Sequence, residues 1–102
     1  MLKMKLVNRD TEGELRMTGR LDTNTSEDAE TYITQAVERF DTLILNMAEL
    51  EFVSSAGLRV LKRAHLAMRR KGGVLIAKNV SKAVMEVFEI TGFAGMLKII
   101  ND

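Results

Sequence analysis

The sequence contains no cysteine, no proline and only one histidine. Without cysteine the chain forms no disulfide and no thiolate metal site, and one histidine cannot build a histidine-based metal cluster within a single chain. No apolar run approaches the roughly 20 residues that span a bilayer. Residues 1–7 carry lysines and lack the apolar core of a signal peptide. These absences predict a cytoplasmic protein with no metal, no other cofactor and no membrane partner.

The composition, 46% hydrophobic and 28% charged over 102 residues, is typical of one globular domain, here residues 1–102. The net charge of +1 conceals a separation along the chain. Residues 10–51 hold eleven of the fourteen acidic residues, whereas residues 52–85 hold eight Lys or Arg and no acid. Aromatic residues do not interleave with the basic ones, as stacking on bases would require. We therefore interpret the basic segment as a solvated helix face and expect no direct contact with nucleic acid.

The first 40 residues predict a β-hairpin followed by a helix. Apolar residues alternate with period two in residues 2–7 and 15–19, on either side of a polar turn at residues 8–13. The helix that follows begins near Thr25, because Thr25 and Asp28 have the spacing of a capping box.

The middle of the chain predicts a buried strand and an irregular connection. Thr42–Met47 is a continuous β-rich run between two helical patterns, which indicates a central strand buried on both faces. We expect residues 48–53 to form a connection whose Leu50, Phe52 and Val53 point inward.

Helix, strand and helix follow this connection. The second helix begins near Ala56 and stops at Gly72-Gly73, and a short buried strand and a helix capped by Ser81 come next. Residues 96–100 form a turn of helix or a short last strand. The predicted order is β-β-α-β-α-β-α-(β), an α/β fold whose mixed sheet is antiparallel at its N-terminal edge and parallel in the middle.

The stretch Ser54-Ser55-Ala56-Gly57 lies where the second helix begins. A serine there caps the helix, and the unpaired N–H groups and the dipole also suit a phosphate, either bound or carried by the serine. From these residues alone both interpretations stay open. Other polar groups give weaker indications of function. We expect His65 to be a partly exposed structural histidine and the Glu49–Glu51 pair to be solvated loop carboxylates. Because neither serine has an evident base partner, we predict no catalytic residue.

Three stretches together resemble one known family: Gly19–Thr23, Leu43–Leu61 and Ile90–Phe93. Their order and spacing are similar to those of the anti-sigma factor antagonists, which are stand-alone members of the STAS domain family. The resemblance implies a STAS-type α/β sandwich with a mixed sheet of four to five strands and helices packed mainly on one face.

The resemblance also implies a function without enzymatic activity. Ser55 aligns with the family's phosphoacceptor serine, and Ser54 is a second candidate. Unphosphorylated antagonist binds an anti-sigma factor of the histidine-kinase-like ATPase type, phosphorylation by that kinase releases it, and a PP2C-like serine phosphatase restores it. The residues implied in partner binding are Asp22, Thr23, Ser54, Ser55, Ala56, Gly57, Arg59, Lys62 and Arg63.

Two positions depart from the family's pattern. Ser54 replaces the aspartate that usually precedes the phosphoserine, and Asn46 replaces the aspartate that often ends the central strand. Both changes are expected to remove negative charge next to Ser55. They leave open a STAS interaction subunit without phosphorylation, serving a transporter or another regulatory complex. A small-molecule or nucleotide-binding module is a third hypothesis, with only the helix N-terminus in its favour.

Overall fold

The alternating and helical periodicities of the sequence produce five strands and three α-helices in the computed structural model, which describes residues 1–101. In chain order the elements are β1 (Leu2–Arg9), β2 (Glu12–Leu21), α1 (Ser26–Arg39), β3 (Thr42–Val53), α2 (Ser55–Arg70), β4 (Val74–Lys78), α3 (Lys82–Ile90), a short 3-10 helix (Phe93–Gly95) and β5 (Lys98–Ile100). The predicted order is confirmed, and the last segment contains both a helical turn and a strand. No helix in this part of the chain is long and apolar enough to cross a membrane.

The five strands form one mixed sheet in the order β1-β2-β3-β4-β5. β1 pairs antiparallel with β2, and the other three pairs are parallel. Each parallel pair is joined by a crossover helix, and every crossover steps in the same direction across the sheet. Because such connections are right-handed, all three helices lie on one face of the sheet. The predicted α/β class and one-sided helix layer are confirmed.

The core lies between that face of the sheet and the helices. Alternate strand residues such as Leu15, Met17, Leu43 and Leu45 are almost completely buried there, as period-two alternation requires. The apolar side of α1 faces them, since Ala29, Ile33, Ala36 and Val37 are all buried, as is Phe40 at the C-cap. The opposite face of the sheet, which we call the open face, carries Lys3, Lys5, Glu14, Arg16, Thr18, Arg20, Ile44, Asn46 and Phe52.

Strand β3 is longer and less symmetrically buried than the sequence predicted. It runs for 12 residues to Val53, so residues 48–53 are strand and not a connection. Two shifts of register against β2 interrupt the alternation there, which concealed the strand in the sequence. Leu50 and Val53 are buried as expected, but Phe52 is 37% exposed on the open face. The prediction of burial on both faces is wrong because helices cover only one of them.

Two local predictions near the first hairpin and α1 also need correction. The turn is shorter than residues 8–13, because the strands continue to Arg9 and resume at Glu12. Thr25 occupies the N-cap position of α1, but its side chain makes no capping hydrogen bond. Its hydroxyl instead accepts from the backbone N–H of Asp22 at 2.9 Å and donates to the carbonyl of Arg20 at 2.9 Å. The predicted capping box is therefore absent, and Thr25 braces the loop before the helix.

The single histidine is more buried than the sequence predicted. His65 on α2 is 7% exposed, and neither ring nitrogen has a hydrogen-bond partner among residues 1–101. Burial, with a smaller contribution from the nearby Arg69 charge, lowers the pKa of His65 below its ordinary value. The imidazole is therefore neutral in the folded protein over a wider pH range than in the unfolded chain.

We expect His65→Leu to remove a pH-dependent loss of stability. The unfolded chain binds a proton near pH 6.5, whereas the folded protein does so only at lower pH. Stability therefore falls as the pH drops below about 6.5. Urea unfolding at pH 8 and pH 5.5 measures this: the substitution should stabilise the protein by about 1–3 kcal/mol, the usual cost of an unsatisfied buried polar group, and by more at pH 5.5. An equal gain in stability at both pH values would contradict a lowered pKa of His65 in the folded protein.

Candidate functional site

The connection from β3 to α2 separates the two neighbouring serines into different roles. Ser54 has an extended backbone at the N-cap position, and its Oγ accepts a hydrogen bond from the Gly57 N–H at 3.1 Å. Its own N–H donates to the carbonyl of Leu21 at 2.9 Å, which ties the loop to the end of β2. The hydroxyl of Ser54 is therefore engaged in holding the start of α2, as the sequence predicted for this stretch.

Ser55 is the first residue of the 16-residue helix α2. Its side chain is exposed, and its hydroxyl makes no hydrogen bond within the described part of the chain. The first turn of α2 contains no acidic residue, and the positive end of the helix dipole lies at this turn. The Ser55 oxygen is thus accessible, and this position tolerates an attached negative group.

Gly57 permits the close approach of α2 to β2. A Cβ at this position would lie 2.7 Å from both the Cγ and the carbonyl oxygen of Leu21. The same Leu21 oxygen accepts the Ser54 N–H, so it cannot move without loss of that bond. A residue larger than glycine would therefore push the helix start, and the two serines with it, away from the sheet.

The loop after β2 presents a second polar group beside this site. The Asp22 carboxylate accepts hydrogen bonds from the backbone N–H groups of Asn24 at 3.0 Å and Thr25 at 3.1 Å. Desolvation raises the pKa of Asp22, but these hydrogen bonds together outweigh it and the net pKa is lowered. Asp22 therefore carries a fixed negative charge one residue from Leu21, while Thr23 stays exposed.

One side of α2 extends the accessible surface from Ser55. Arg59 and Lys62 follow Ser55 at helical spacings of four and seven residues, which places the three on one face of the helix. Arg59 is exposed and Lys62 is half-buried. Arg63 points toward α1 instead, where its guanidinium lies 2.9 Å from a carboxylate oxygen of Glu30. Of the three predicted basic contacts, two therefore share the face of Ser55 and the third bridges the helices.

The structure adds residues that the sequence reasoning missed. Leu66 continues the Ser55 face and is 43% exposed. On the open face, the Arg20 guanidinium lies 4.4 Å from the centre of the Phe52 ring and 3.8 Å from the Asp22 carboxylate. Leu66 could have been identified from the sequence, because eleven residues after Ser55 is the same face of the helix about three turns on. The position of Phe52 could not, because residues 48–53 were expected to be a connection and belong to β3.

Asn46 lies outside this site, contrary to the expectation that it removes charge next to Ser55. It sits on the open face, and seven further residues of β3 separate it from the N-cap, about 20 Å of strand. Its Nδ2 donates to the buried carboxylate of Glu14 at 3.0 Å, and its Oδ1 accepts from the Ala48 N–H. An aspartate at this position would instead place a second carboxylate against Glu14.

Glu14 is the buried acid of a small charge network. The hydrogen bond from Asn46 is the largest influence and lowers the pKa of Glu14, and Arg16 and Arg9 lower it further against desolvation, which raises it. Arg9 and Arg16 each lie 3.1 Å from the carboxylate. Since the folded-state pKa is depressed, this network stabilises the fold above the unfolded pKa near 4.3 and loses that effect as the pH falls through the folded pKa.

We expect Asn46→Asp to destabilise the protein by about 1–3 kcal/mol at pH 7, because it replaces a donor to a buried carboxylate with a like charge. The loss should shrink toward pH 4, where protonation relieves the repulsion. Denaturant unfolding at both pH values is the measurement. Asn8→Asp, the same chemical change at an exposed position, is the control and should stay within about 0.5 kcal/mol of the original protein. Equal losses in the two variants would show that the Glu14 contact is unimportant.

The described residues contain no group of three or more His, Cys, Asp and Glu side chains placed to hold a metal ion. Glu49 and Glu51, expected in a loop, are exposed on β3. The geometry around Ser55 is that of an accessible hydroxyl at the start of a helix.

The sequence is similar to a known family and to several known proteins. The family model described as the STAS domain matches residues 3–102. BtrV of Bordetella bronchiseptica, whose name marks it as a candidate anti-sigma factor antagonist, is 36% identical over 59 residues, which are 58% of this chain. That match spans about half of the relative, 51% of its length. The anti-sigma F factor antagonist of Paenibacillus polymyxa is 24% identical over 90 residues, 86% of this chain and 77% of that protein.

Solved structures show the same fold. The Bacillus anti-sigma factor antagonist SpoIIAA superposes with a TM-score of 0.75 in its unphosphorylated form and 0.76 in its phosphorylated form. Its sequence is 22% identical, and the match covers 100% of this chain and 88% and 91% of the two SpoIIAA chains. At this identity the likeness shows the fold.

Proposed function

The chain belongs to the STAS domain family, and from that premise we propose that it is an anti-sigma factor antagonist that works by partner switching. In its unphosphorylated form it binds an anti-sigma factor of the histidine-kinase-like ATPase type, which then releases its sigma factor. The kinase transfers a phosphate to the hydroxyl of Ser55 and the complex dissociates. A PP2C-like phosphatase hydrolyses the phosphoserine and restores the antagonist. The protein is a substrate in this cycle and not an enzyme, and the cycle operates in the cytoplasm.

The observation that carries the proposal is the contrast between the two serines. Ser54 Oγ is engaged by the Gly57 N–H, whereas Ser55 is exposed and its hydroxyl is unbonded within residues 1–101. A kinase needs an accessible oxygen that can be deprotonated as it attacks the phosphate, and Ser54 Oγ is half-buried and already holds the Gly57 N–H. Ser55 is therefore the acceptor in our proposal, and the serine that replaces the usual aspartate keeps the capping role.

The surroundings of Ser55 supply a docking surface for a protein partner. Asp22 and Thr23 lie on the loop next to it, Ala56 and Gly57 form the first turn, and Arg59 and Lys62 extend along the same helix face. We assign partner binding to this surface, with Arg63 at its border. A phosphate on Ser55 adds about −1.5 to −2 charges, which the helix N-terminus tolerates in the free protein. In the complex the same charge is desolvated against the partner, so phosphorylation weakens binding without a change of fold.

The names of the similar proteins support the proposal. The Paenibacillus relative is an anti-sigma F factor antagonist, and SpoIIAA has been solved in both phosphorylation states. Similar chains therefore include a protein that carries the modification that we propose for Ser55.

A sigma-release assay tests the proposed function. Unphosphorylated protein is added to a preformed complex of a kinase-type anti-sigma factor and its sigma factor from the source organism, without hydrolysable ATP. We expect the sigma factor to be released when about one antagonist is added per anti-sigma factor. Size-exclusion chromatography measures the release. Ser55→Ala should release it equally well, because only the unmodified surface is needed.

Failure to bind any such anti-sigma factor would contradict the antagonist function. Tight binding that persists after incubation with ATP, with no phosphate on the chain, would instead support the STAS interaction subunit without a phosphorylation cycle. That second function is favoured only by the neutral Ser54 in place of an aspartate.

A further inference from the structure

Of the two edge strands in the described part of the chain, β1 is the longer, with eight residues against three in β5. β1 is the first strand of the sheet and its only strand partner among residues 1–101 is β2. The carbonyl of Met1 accepts from the Arg20 N–H at 2.9 Å, which sets the phase of the antiparallel ladder. Because hydrogen-bonded pairs alternate along such a ladder, the N–H and C=O groups of Leu2, Met4 and Leu6 point away from β2.

A groove of about 750 Å³ runs along this edge, between α1 and the open face. Its two sides differ in chemistry. Leu2 and Met4 pack against the core on the α1 side, where the lining also includes Tyr32, the fully buried Ala29 and the polar Thr25, Asp28 and Thr31. On the open-face side the groove is lined by Lys3, Lys5 and Arg16.

The lysines of this edge lack countercharges. Lys3 and Lys5 are exposed, and neither forms an ion pair within the part of the chain that the structure describes. β1 itself contains no acidic residue. The acid that lines the groove, Asp28, lies on α1, across the edge from the two lysines. Positive charge without an ion-pair partner therefore lies on the open-face side of the edge, at Lys3 and Lys5.

We propose that the edge of β1 binds an extended segment of a partner protein in which acidic residues alternate with apolar ones. The segment adds a sixth strand, and its backbone pairs with Leu2, Met4 and Leu6, the mode known as β-augmentation. Because side chains alternate along a strand, its acidic residues meet Lys3 and Lys5 while its apolar residues meet Leu2, Met4 and Tyr32. This surface is separate from the Ser55 loop, and the proposal does not depend on the phosphorylation cycle.

A second copy of the chain fits this edge poorly. In any antiparallel pairing of two β1 strands, the open-face side of each strand presents Lys3, Lys5, Val7 and Arg9 to the same set. Like charges opposite one another destabilise paired strands. Charge complementarity therefore selects an acidic partner over self-association.

Titration with short peptides tests the proposal. One seven-residue peptide alternates glutamate with valine, and a matched peptide carries lysine in place of glutamate. We expect the acidic peptide to bind at least tenfold more tightly, to shift the amide resonances of Leu2, Met4 and Leu6, and to slow their hydrogen exchange. Lys5→Glu should reverse or abolish the preference between the peptides. Lys98→Glu, the same change on the opposite edge strand β5, is the control and should leave it intact.

Met4→Pro is a second variant, for the case that Lys5→Glu unfolds. It removes one outward N–H without removing a bond to β2, and proline is tolerated at such edge positions. Met4→Pro should weaken binding of the acidic peptide at least tenfold. Equal binding of the two peptides, or an equal effect of Lys98→Glu, would overturn the proposal. Protection of the three amides from hydrogen exchange in the absence of peptide, growing with protein concentration, would also overturn it. The strand paired with β1 would then come from a second copy of the chain.

Discussion

Replacing Ser55 with aspartate is expected to weaken binding to the anti-sigma factor by about 100-fold, or ~2.7 kcal/mol. The aspartate places a charge at the exposed first position of α2, which the free protein accommodates at the helix N-terminus. In the complex that charge is desolvated against the partner, and the loss appears mainly as faster dissociation. Isothermal titration calorimetry with the purified anti-sigma factor measures the affinity, and surface plasmon resonance measures the dissociation rate.

Two matched variants separate charge from position. Ser55→Asn has nearly the shape of the aspartate without its charge and should retain binding within about fivefold, well under the ~1.4 kcal/mol of a tenfold change. Ser54→Asp places the same charge one residue earlier, where aspartate remains a good N-cap, and should also bind. If both aspartates weaken binding equally, the effect is one of general charge and the specific role of Ser55 is wrong.

Gly57→Val is expected to lower the free energy of unfolding by about 3 kcal/mol or more. Its Cβ would lie 2.7 Å from the Leu21 carbonyl oxygen and the Leu21 Cγ, at a buried position of α2 beside the completely buried Leu21. The better helix propensity of a larger residue, at most about 1 kcal/mol over glycine, does not offset this overlap. For a domain of this size the loss corresponds to a melting temperature roughly 12–24 °C lower.

Gly95→Ala is the control for Gly57→Val. A Cβ at Gly95 meets no atom within 4 Å, and its φ is not positive. That substitution should be neutral or slightly stabilising, by up to about 1 kcal/mol. Thermal unfolding followed by circular dichroism compares the variants. A melting temperature for Gly57→Val within a few degrees of the original would show that α2 shifts easily, and the close approach of α2 to β2 would then not fix Ser55.

The sequence predicted the elements whose periodicity is local and regular. The helices α1 and α2 and the hairpin each bury one face, so their apolar spacing alone identifies them. The strands β3 and β4 were predicted instead from continuous apolar runs between helical patterns. The cap at Ser54 was predicted for the same reason, because the capping hydroxyl of Ser54 and the Gly57 N–H that donates to it lie three residues apart.

The features that the sequence did not predict depend on contacts between distant segments. The second half of β3 is a strand because it pairs with β2 across two register shifts, and nothing in Ala48 or Glu49 signals this. The role of Asn46 depends on its hydrogen bond to Glu14, which lies 32 residues earlier in the chain. The burial of His65 likewise depends on how α2 packs on the sheet and not on its helical spacing.

The central claim is that Ser55 receives the phosphate while Ser54 caps the helix. The most direct measurement incubates the protein and the variants Ser54→Ala and Ser55→Ala with the kinase-type anti-sigma factor and ATP, and maps the phosphate by fragmentation mass spectrometry. We predict one phosphate on Ser55 in the original protein and in Ser54→Ala, and none in Ser55→Ala. Phosphate on Ser54, or labelling that persists in Ser55→Ala, would contradict the claim.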